Sequence, residues 1–512
     1  MLLLGVDIGT SSIKISVVDA ETQQCIASAQ YPEVETEVIA LHPGWAEQSP
    51  DMWWENMKQA ILKCNAAESY NTLDIAAIGI SYQMHGLVLV DKEQHVLRNS
   101  IIWCDSRAVE IGNKAFAAIG EEKCLSHLLN SPGNFTAAKL AWVKENEPQV
   151  FENIDKILLP GDFIAMKLTG EITTTASALS EGIFWDFKTN KISEDVCNYF
   201  GFSNNLFPAI HPLFSSHGFL KDTVAARLSL KKGIPVSYKS GDQPNNALSL
   251  NVFNPGEVAA TAGTSGVIYA VSDKLNYDKQ SRINSFAHVN YKAPSPLEFP
   301  SEAKGRSEAR GGEVRVGNLL CINGTGIFNR WIKNIVGANM SYNSLNEAAS
   351  KINIGSNNLI ALPFGNGAER MLNNKMIGAH FANIDFNVHT TAHLVRAVQE
   401  GIAFSFRYGL DIMRENGMAP QVIRAGKTNM FLSNVFSESF AGATNTTVEL
   451  YNCDGSVGAA IGAGLGAGIF ANEKEAFQHT KLIESVEPQN IERYENLYQQ
   501  WKIELEKHTL RF

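Results

Sequence analysis

The chain has 512 residues, 45% of them hydrophobic, which is enough for two or three domains of roughly 100 to 200 residues, each with its own core. Its formal net charge is -10 and it has no run of lysine or arginine, so the basic footprint that binds a phosphate backbone is missing and nucleic acid is not an expected partner. The apolar start before Asp7 falls short of a signal-peptide core of roughly 7 to 15 residues, and the glycine-rich run 457–471 falls short of the about 20 apolar residues that cross a bilayer.

Seven scattered cysteines, odd in number and never spaced as C-x-x-C, signal neither a disulfide framework nor a zinc site. A soluble, cytoplasmic protein with reduced thiols and no membrane partner is expected.

The first thirty residues alternate "LLLGVD", a Gly-Thr-Ser-Ser turn, "IKISVVD", a polar turn and "CIASAQY". This predicts an antiparallel sheet beginning at residue 2. Ser49 as N-cap, Pro50 at the first helical position and apolar residues 53, 54, 57, 61 and 64 then predict a helix. "DIAAIGISY" reads as a buried strand running into the polar "QMHG", and "LVLVDKEQHVLRNSIIWCDSRA" as a hairpin and a further strand. Mixed α/β structure follows.

"GEVAATAGTSGVIYAVSD", 256–273, repeats the strand, Gly-Thr-Ser turn and strand of the opening, with Thr10 opposite Thr264 and Ser11 opposite Ser265. Such a turn is also ordinary hairpin chemistry, but each copy opens a new α/β block, which hints at two related halves. Between them lies "KSGDQPNNAL", 239–248, whose composition reads as a turn carrying Asp242. The Pro-, Gly- and Ser-rich stretch 293–318 is expected to be an exposed insertion loop. Apolar residues 394, 395, 398, 402 and 406 predict a long core helix that stops at Gly417. The small residues of "SVGAAIGAGLGAGIF" read as a helix packed closely on a sheet.

Two loops of small residues and hydroxyls offer backbone N–H groups and Ser/Thr oxygens to a polyphosphate. They hold Gly9, Thr10, Ser11, Ser12 and nearby Lys14 in the first copy, and Gly263, Thr264 and Ser265 in the second. Asp7, at the end of the first strand, is placed to orient the accompanying Mg²⁺; a turn-forming carboxylate is the alternative.

"GVDIGTSSIK" resembles the actin-like ATPase superfamily, whose members bind ATP between two ribonuclease H-like domains. "LHPGWAEQSPDMWW", "ISYQMHG", "IIWCDSRA", "FTAAKLAWVKENEP", "ILLPGDFIAMKLTGE" and "GDQPNNA", in that order, resemble the xylulokinase-like branch of the FGGY carbohydrate kinase family. The resemblance implies an N-terminal domain 1–248 with the sugar and first phosphate sites, a nucleotide-binding domain 249–512, ATP and Mg²⁺ as cofactors, and a homodimer as a family-level expectation.

By that resemblance Asp242 is the general base and, with Asp7, a metal ligand, while Met84 and His85 contact the sugar beside Gln243. Trp103 and Asp105 are candidates for a sugar face and its hydroxyls, a core tryptophan with an exposed turn being the alternative; Phe135 and Thr136 follow behind them. "INGTG" around Gly324, and Ala425, Gly426 and Asn429 in "VIRAGKTNMF", match the adenosine positions. "LPFGNGAERMLNN" resembles a further family region that retains Gly367, Glu369 and Arg370, the last two suiting either polyphosphate or each other.

The implied reaction is ATP-dependent phosphorylation of a ketopentose, D-xylulose foremost, with ribulose, a hexulose or another polyol as alternatives. An actin-like binding protein without kinase activity is the more remote reading. A sugar-responsive regulator is expected to carry a helix-turn-helix before the first ATPase strand, which here begins at residue 2. A chaperone adds a peptide-binding domain, whereas the chain stops at Phe512.

Overall fold

The structure is a computed structural model that describes residues 1–292 and 314–510. Strand Leu2–Ile8 pairs antiparallel with Ile13–Asp19, which pairs antiparallel with Cys25–Tyr31. On its other edge Leu2–Ile8 runs parallel to Ile75–Tyr82, and that strand parallel to Val236–Gly241. The expected antiparallel beginning is present, and parallel strands complete a five-stranded sheet.

The second half builds the same pattern. Glu257–Ala262 pairs antiparallel with Gly266–Ser272, and that strand antiparallel with Val316–Ile322. Glu257–Ala262 also runs parallel to Val422–Gly426, which runs parallel to Thr447–Tyr451. The hinted repeat thus extends from two strands to five in each half, with one strand added at either edge of the second sheet. Its first turn is a residue shorter: Ile8 faces Ile13, whereas Ala262 faces Gly266.

Alternation along the first strand sets the layers. Leu2, Leu4, Val6 and Ile8 pack into one core with Trp53, Met57 and Ile61 of the Ser49-capped helix Pro50–Asn65. Leu3 faces the opposite core, where Ala459, Ala460 and Ala463 of helix Gly455–Gly466 lie. That helix sits so close that a Cβ on Gly5 would stand 1.8 Å from the Ser456 carbonyl oxygen, and one on Gly79 1.9 Å from that of Ala459. The small residues in this helix are packing residues, as read from the sequence.

The two helices that follow the last parallel strand of each repeat cross. Helix Asp242–Ser249, from the first half, places Ala247 in a core with Val267 and Tyr269 of the second sheet. Helix Gly455–Gly466, from the second half, covers the first sheet. Thr391–Glu415 is the expected long core helix, and Gly417 follows it in the left-handed region at φ 81°.

Two local expectations change. "KSGDQPNNAL" is the direct junction of a strand with a helix, because Gly, Asp and Pro suit the first helical turn as well as they suit a loop. In the stretch 293–318, residues 293–313 lie outside the described residues, and Val316, Gly317 and Asn318 belong to a buried strand.

Candidate functional site

Asp7, Ser81 and Ser240 stand in one register row across the three parallel strands, and Asp242 begins the helix one residue beyond the last strand. Asp7 shares the face of Leu3 and Gly5, so its carboxylate arrives at the start of helix Gly455–Gly466. Its Oδ2 lies 2.5 Å from the point where a Cβ on Gly455 would stand. A helix N-terminus favours anions there. Burial and the neighbouring Asp454 raise the Asp7 carboxyl, against the nearby Ser81 hydroxyl and the charge of Lys14.

Burial first, and then the Asp7 charge, push Asp242 up to about 7, against hydrogen bonds from Gln243. A carboxylate whose pKa lies near neutrality is matched to accept a proton at physiological pH. The structure brings Asp7 and Asp242 together, and no cluster of three or more His, Cys, Asp or Glu suited to a metal occurs among the described residues.

Met84 and His85 follow strand Ile75–Tyr82 directly. Met84 Cγ lies 2.7 Å from the point where a Cβ on Gly241 would stand, next to Asp242. His85 adopts a left-handed φ of 63°, which points to a site under constraint. Its ring packs on Phe135 at 4.9 Å and on Phe286 at 5.4 Å. Thr136 Oγ1 donates to its carbonyl at 3.2 Å, and the fully buried Lys139 Nζ at 3.0 Å. Burial, and then Lys139, lower His85 to about 3, so the ring is a neutral imidazole.

Trp103 leaves 53% of its surface open and donates Nε1–H to Thr10 Oγ1 at 2.9 Å, tying the first glycine loop to the proposed sugar side. Gln83 and Gln48 continue this chain of bonds: Gln48 Nε2 donates to the Thr10 carbonyl at 2.8 Å.

Asp105 differs. It is fully buried, and its carboxylate accepts from the Ala46 amide at 2.6 Å and from Arg107 Nη2 at 2.7 Å and Nε at 2.9 Å. With Oδ1 also accepting the Arg107 amide at 2.9 Å, it holds the loop that carries Trp103.

Lys14 forms an ion pair with Asp454, the N-cap of helix Gly455–Gly466. Burial alone would raise Asp454; Lys14 and Ser456 outweigh it and hold the carboxylate below its ordinary range. In the second half, Gly263 and Thr264 accept amide hydrogens from Gly326 and Ile327 at 2.8 and 3.0 Å. These residues border a cavity of about 350 Å³ that Asn329, Asn346, Asn429 and Ser433 also line. Asn429 reaches it from a left-handed φ of 52°.

Gly324, Ala425 and Gly426 do not line this cavity. Gly324 is needed for close packing, since a Cβ there would stand 1.4 Å from the Pro363 carbonyl oxygen, and Ala425 is buried in its strand. Glu369 and Arg370 do not pair with each other. Glu369 accepts the Asn323 amide at 3.0 Å and is raised to about 7 by burial, while Arg370 Nη1 donates to Asn284 Oδ1 at 2.8 Å.

Sequence reasoning missed two carboxylates. Asp454 follows the last parallel strand of its repeat as Asp242 does in the first, so a longer alignment of the repeat was the available signal. Glu181, 1% exposed, reaches the Gly241–Asp242 junction from a distant helix, and nothing local marks it.

The N-terminal domain of the FGGY family of carbohydrate kinases matches residues 2–249. The chain carries the N-terminal domain of the FGGY carbohydrate kinases. It is a carbohydrate kinase, and its fold is that family's pair of actin-like ATPase domains. It is 28% identical to the xylulose kinase of Bacillus subtilis strain 168, across 98% of this chain and 96% of that one. The crystal structure of xylulose kinase from Rhodospirillum rubrum superimposes with a TM-score of 0.85 at 24% identity, over 98% of both chains. Plasmodium falciparum glycerol kinase with ADP does so with a TM-score of 0.86 at 20% identity, over 99% of this chain and 98% of that one. No helix among the described residues is long and apolar enough to cross a membrane.

Proposed function

We propose that this FGGY kinase transfers the γ-phosphoryl group of ATP to the terminal hydroxyl of a ketopentose, D-xylulose foremost, giving D-xylulose 5-phosphate. The observation that carries the reading is Asp242: a half-buried carboxyl held at about 7, next to Met84 and across strand Ile75–Tyr82 from the strand whose loop binds Trp103. The curated relatives named xylulose kinase support the choice of sugar.

Asp242 takes the hydroxyl proton as the sugar oxygen forms its bond to the γ-phosphorus and the bond to the bridging oxygen of ADP breaks. Such a base contributes about 10²- to 10⁴-fold, and positioning and charge supply the rest. Thr10, Ser11, Ser12 and Lys14 on one side, and Gly263, Thr264 and Ser265 on the other, cradle the phosphates. The nucleoside lies toward Asn329, Asn346 and Asn429.

The residues present fit a divalent cation. Two oxygen donors, Asp7 and Asp242, are close enough for the charge of Asp7 to raise Asp242, while Lys14 is engaged by Asp454. Mg²⁺ bound there would neutralise charge on the phosphates. The sugar side belongs to 1–248 and the nucleotide side to 249–512, so closure of the two would exclude water, a competing acceptor.

The test is phosphorylation of D-xylulose, D-ribulose, a hexulose and glycerol by the purified protein with ATP and Mg²⁺, before and after Asp242→Asn. D-Xylulose is expected to give the largest kcat/KM, and the variant to lose about 10²-fold or more in kcat. A folded Asp242→Asn variant with wild-type turnover removes the base; a different preferred sugar removes the substrate.

A further inference from the structure

Glu181 ends the short helix Ala176–Glu181 and is 1% exposed. Its Oε2 lies 2.5 Å from the point where a Cβ on Gly241 would stand, and Met84 flanks the same point. Only glycine at 241 leaves room for this carboxyl beside Asp242. The other oxygen, Oε1, accepts the His85 amide at 3.4 Å, and the Glu181 carbonyl binds His85 Nδ1 at 2.9 Å. Glu181 therefore sits against both groups of the proposed sugar side.

Oε2 has no hydrogen-bond partner among the described residues; the Tyr82 phenol lies beside the carboxyl without meeting hydrogen-bond geometry. Gln243 Oε1, two residues past Gly241, is bare in the same way. Buried polar atoms are nearly always satisfied, and one left bare is destabilising. A bare acceptor beside Gly241 and another on Gln243, the residue after Asp242, match a ligand that brings several hydroxyl donors at once, as a polyol does. A phosphate would place acceptor against acceptor. Lys139, buried nearby, is already spent on the Ile102 and His85 carbonyls.

We propose that Glu181 is a specificity-determining residue, its Oε2 bonding a secondary hydroxyl of the bound sugar close to the phosphorylated end. The proposal rests on the reading that seats the sugar beside Asp242, Met84 and His85. Asp242 handles the reacting hydroxyl and Glu181 reads a neighbouring one. A site built around such a hydroxyl rejects the analogue that lacks it, because its own buried group is then unpaired.

The test uses Glu181→Gln, which keeps the acceptor for the His85 amide and turns an amide toward the sugar, together with Glu181→Asp. Steady-state kinetics are measured with whichever sugar the wild type turns over fastest and with its monodeoxy analogues. For Glu181→Gln the sugar KM is expected to rise about 10- to 100-fold, with the ATP KM within about twofold. One monodeoxy analogue should respond alike to wild type and variant, which identifies the partner hydroxyl. Glu181→Asp, with the carboxyl drawn back, should fall between them, and it answers the question if the glutamine variant fails to fold. An unchanged sugar KM, or an equal loss on every analogue, overturns the proposal. A fastest sugar other than D-xylulose counts against the substrate assignment, while the KM pattern on that sugar still decides the role of Glu181.

Discussion

Asp7 and Asp242 come from opposite sides of the strand Ile75–Tyr82, and the charge of Asp7 is, after burial, what raises the Asp242 carboxyl to about 7. The sheet thus holds two acids where neither is comfortable as an anion. Such strain is expected where stability is exchanged for activity.

The first prediction follows from linkage. Asp242 has an ordinary value of 3.8 and a folded value of about 7, so between those values the folded chain keeps a proton that the unfolded chain has released. Its contribution to stability is present below about pH 4 and is lost as pH rises toward 7. Asp242→Asn removes that decline. In melts without divalent cations, variant and wild type should agree near pH 4, and the inactive variant should melt about 2 °C or more higher at pH 8. A Tm difference that does not change with pH would show that the carboxyl is not responsible.

Asp105 should behave as a structural acid. Its partner Arg107 has a side chain only 1% exposed, and breaking a buried pair by removing one member costs about 3–5 kcal/mol. Asp105→Ala is expected to lower the denaturation midpoint strongly while leaving the ratio of kcat/KM between two sugars unchanged. A shift in that ratio in the folded fraction would return Asp105 to the sugar.

Lys14 should show the opposite pattern. Its side chain is 42% exposed, and an ion pair so open to water contributes about 0–1 kcal/mol. Lys14→Gln is expected to leave the Tm within about 2 °C and to raise the ATP KM about tenfold, because a cation beside the phosphate cradle is lost. Kinetics and calorimetry on one preparation separate the two effects.

Gly79 is predicted to be irreplaceable for packing alone. A methyl group there would meet the Ala459 carbonyl oxygen at 1.9 Å, and backbone on both sides prevents relief. Gly79→Ala should cost more than about 3 kcal/mol, at the upper end for overpacking, and urea unfolding would measure it.

Much of this was legible in the sequence where the signal is local. The Ser49 cap, the long helix ending before Gly417 and Asp7 at a strand end are each written in a few adjacent residues. The Gly-Thr-Ser repeat carried further than its length suggested, because the five-strand order recurs around it. What was hidden depends on tertiary approach. Asp105 stands in a sugar-like motif yet turns inward to Arg107, and Gly324 lies against the Pro363 carbonyl, a contact no motif announces. Glu181 matters through its distance to Gly241, sixty positions away, which no periodicity encodes.

The exchanged helices have a consequence for how the chain can be divided. Ala459 and Ala460 complete a hydrophobic layer begun by Leu3, and Ala247 completes one begun by Val267 and Tyr269. Severed near residue 253, each fragment would keep its own sheet but lose the helix that roofs it. Two such pieces made separately would be poor folders, and made together they would be natural partners for split-protein reassembly, regaining kinase activity only as a noncovalent pair.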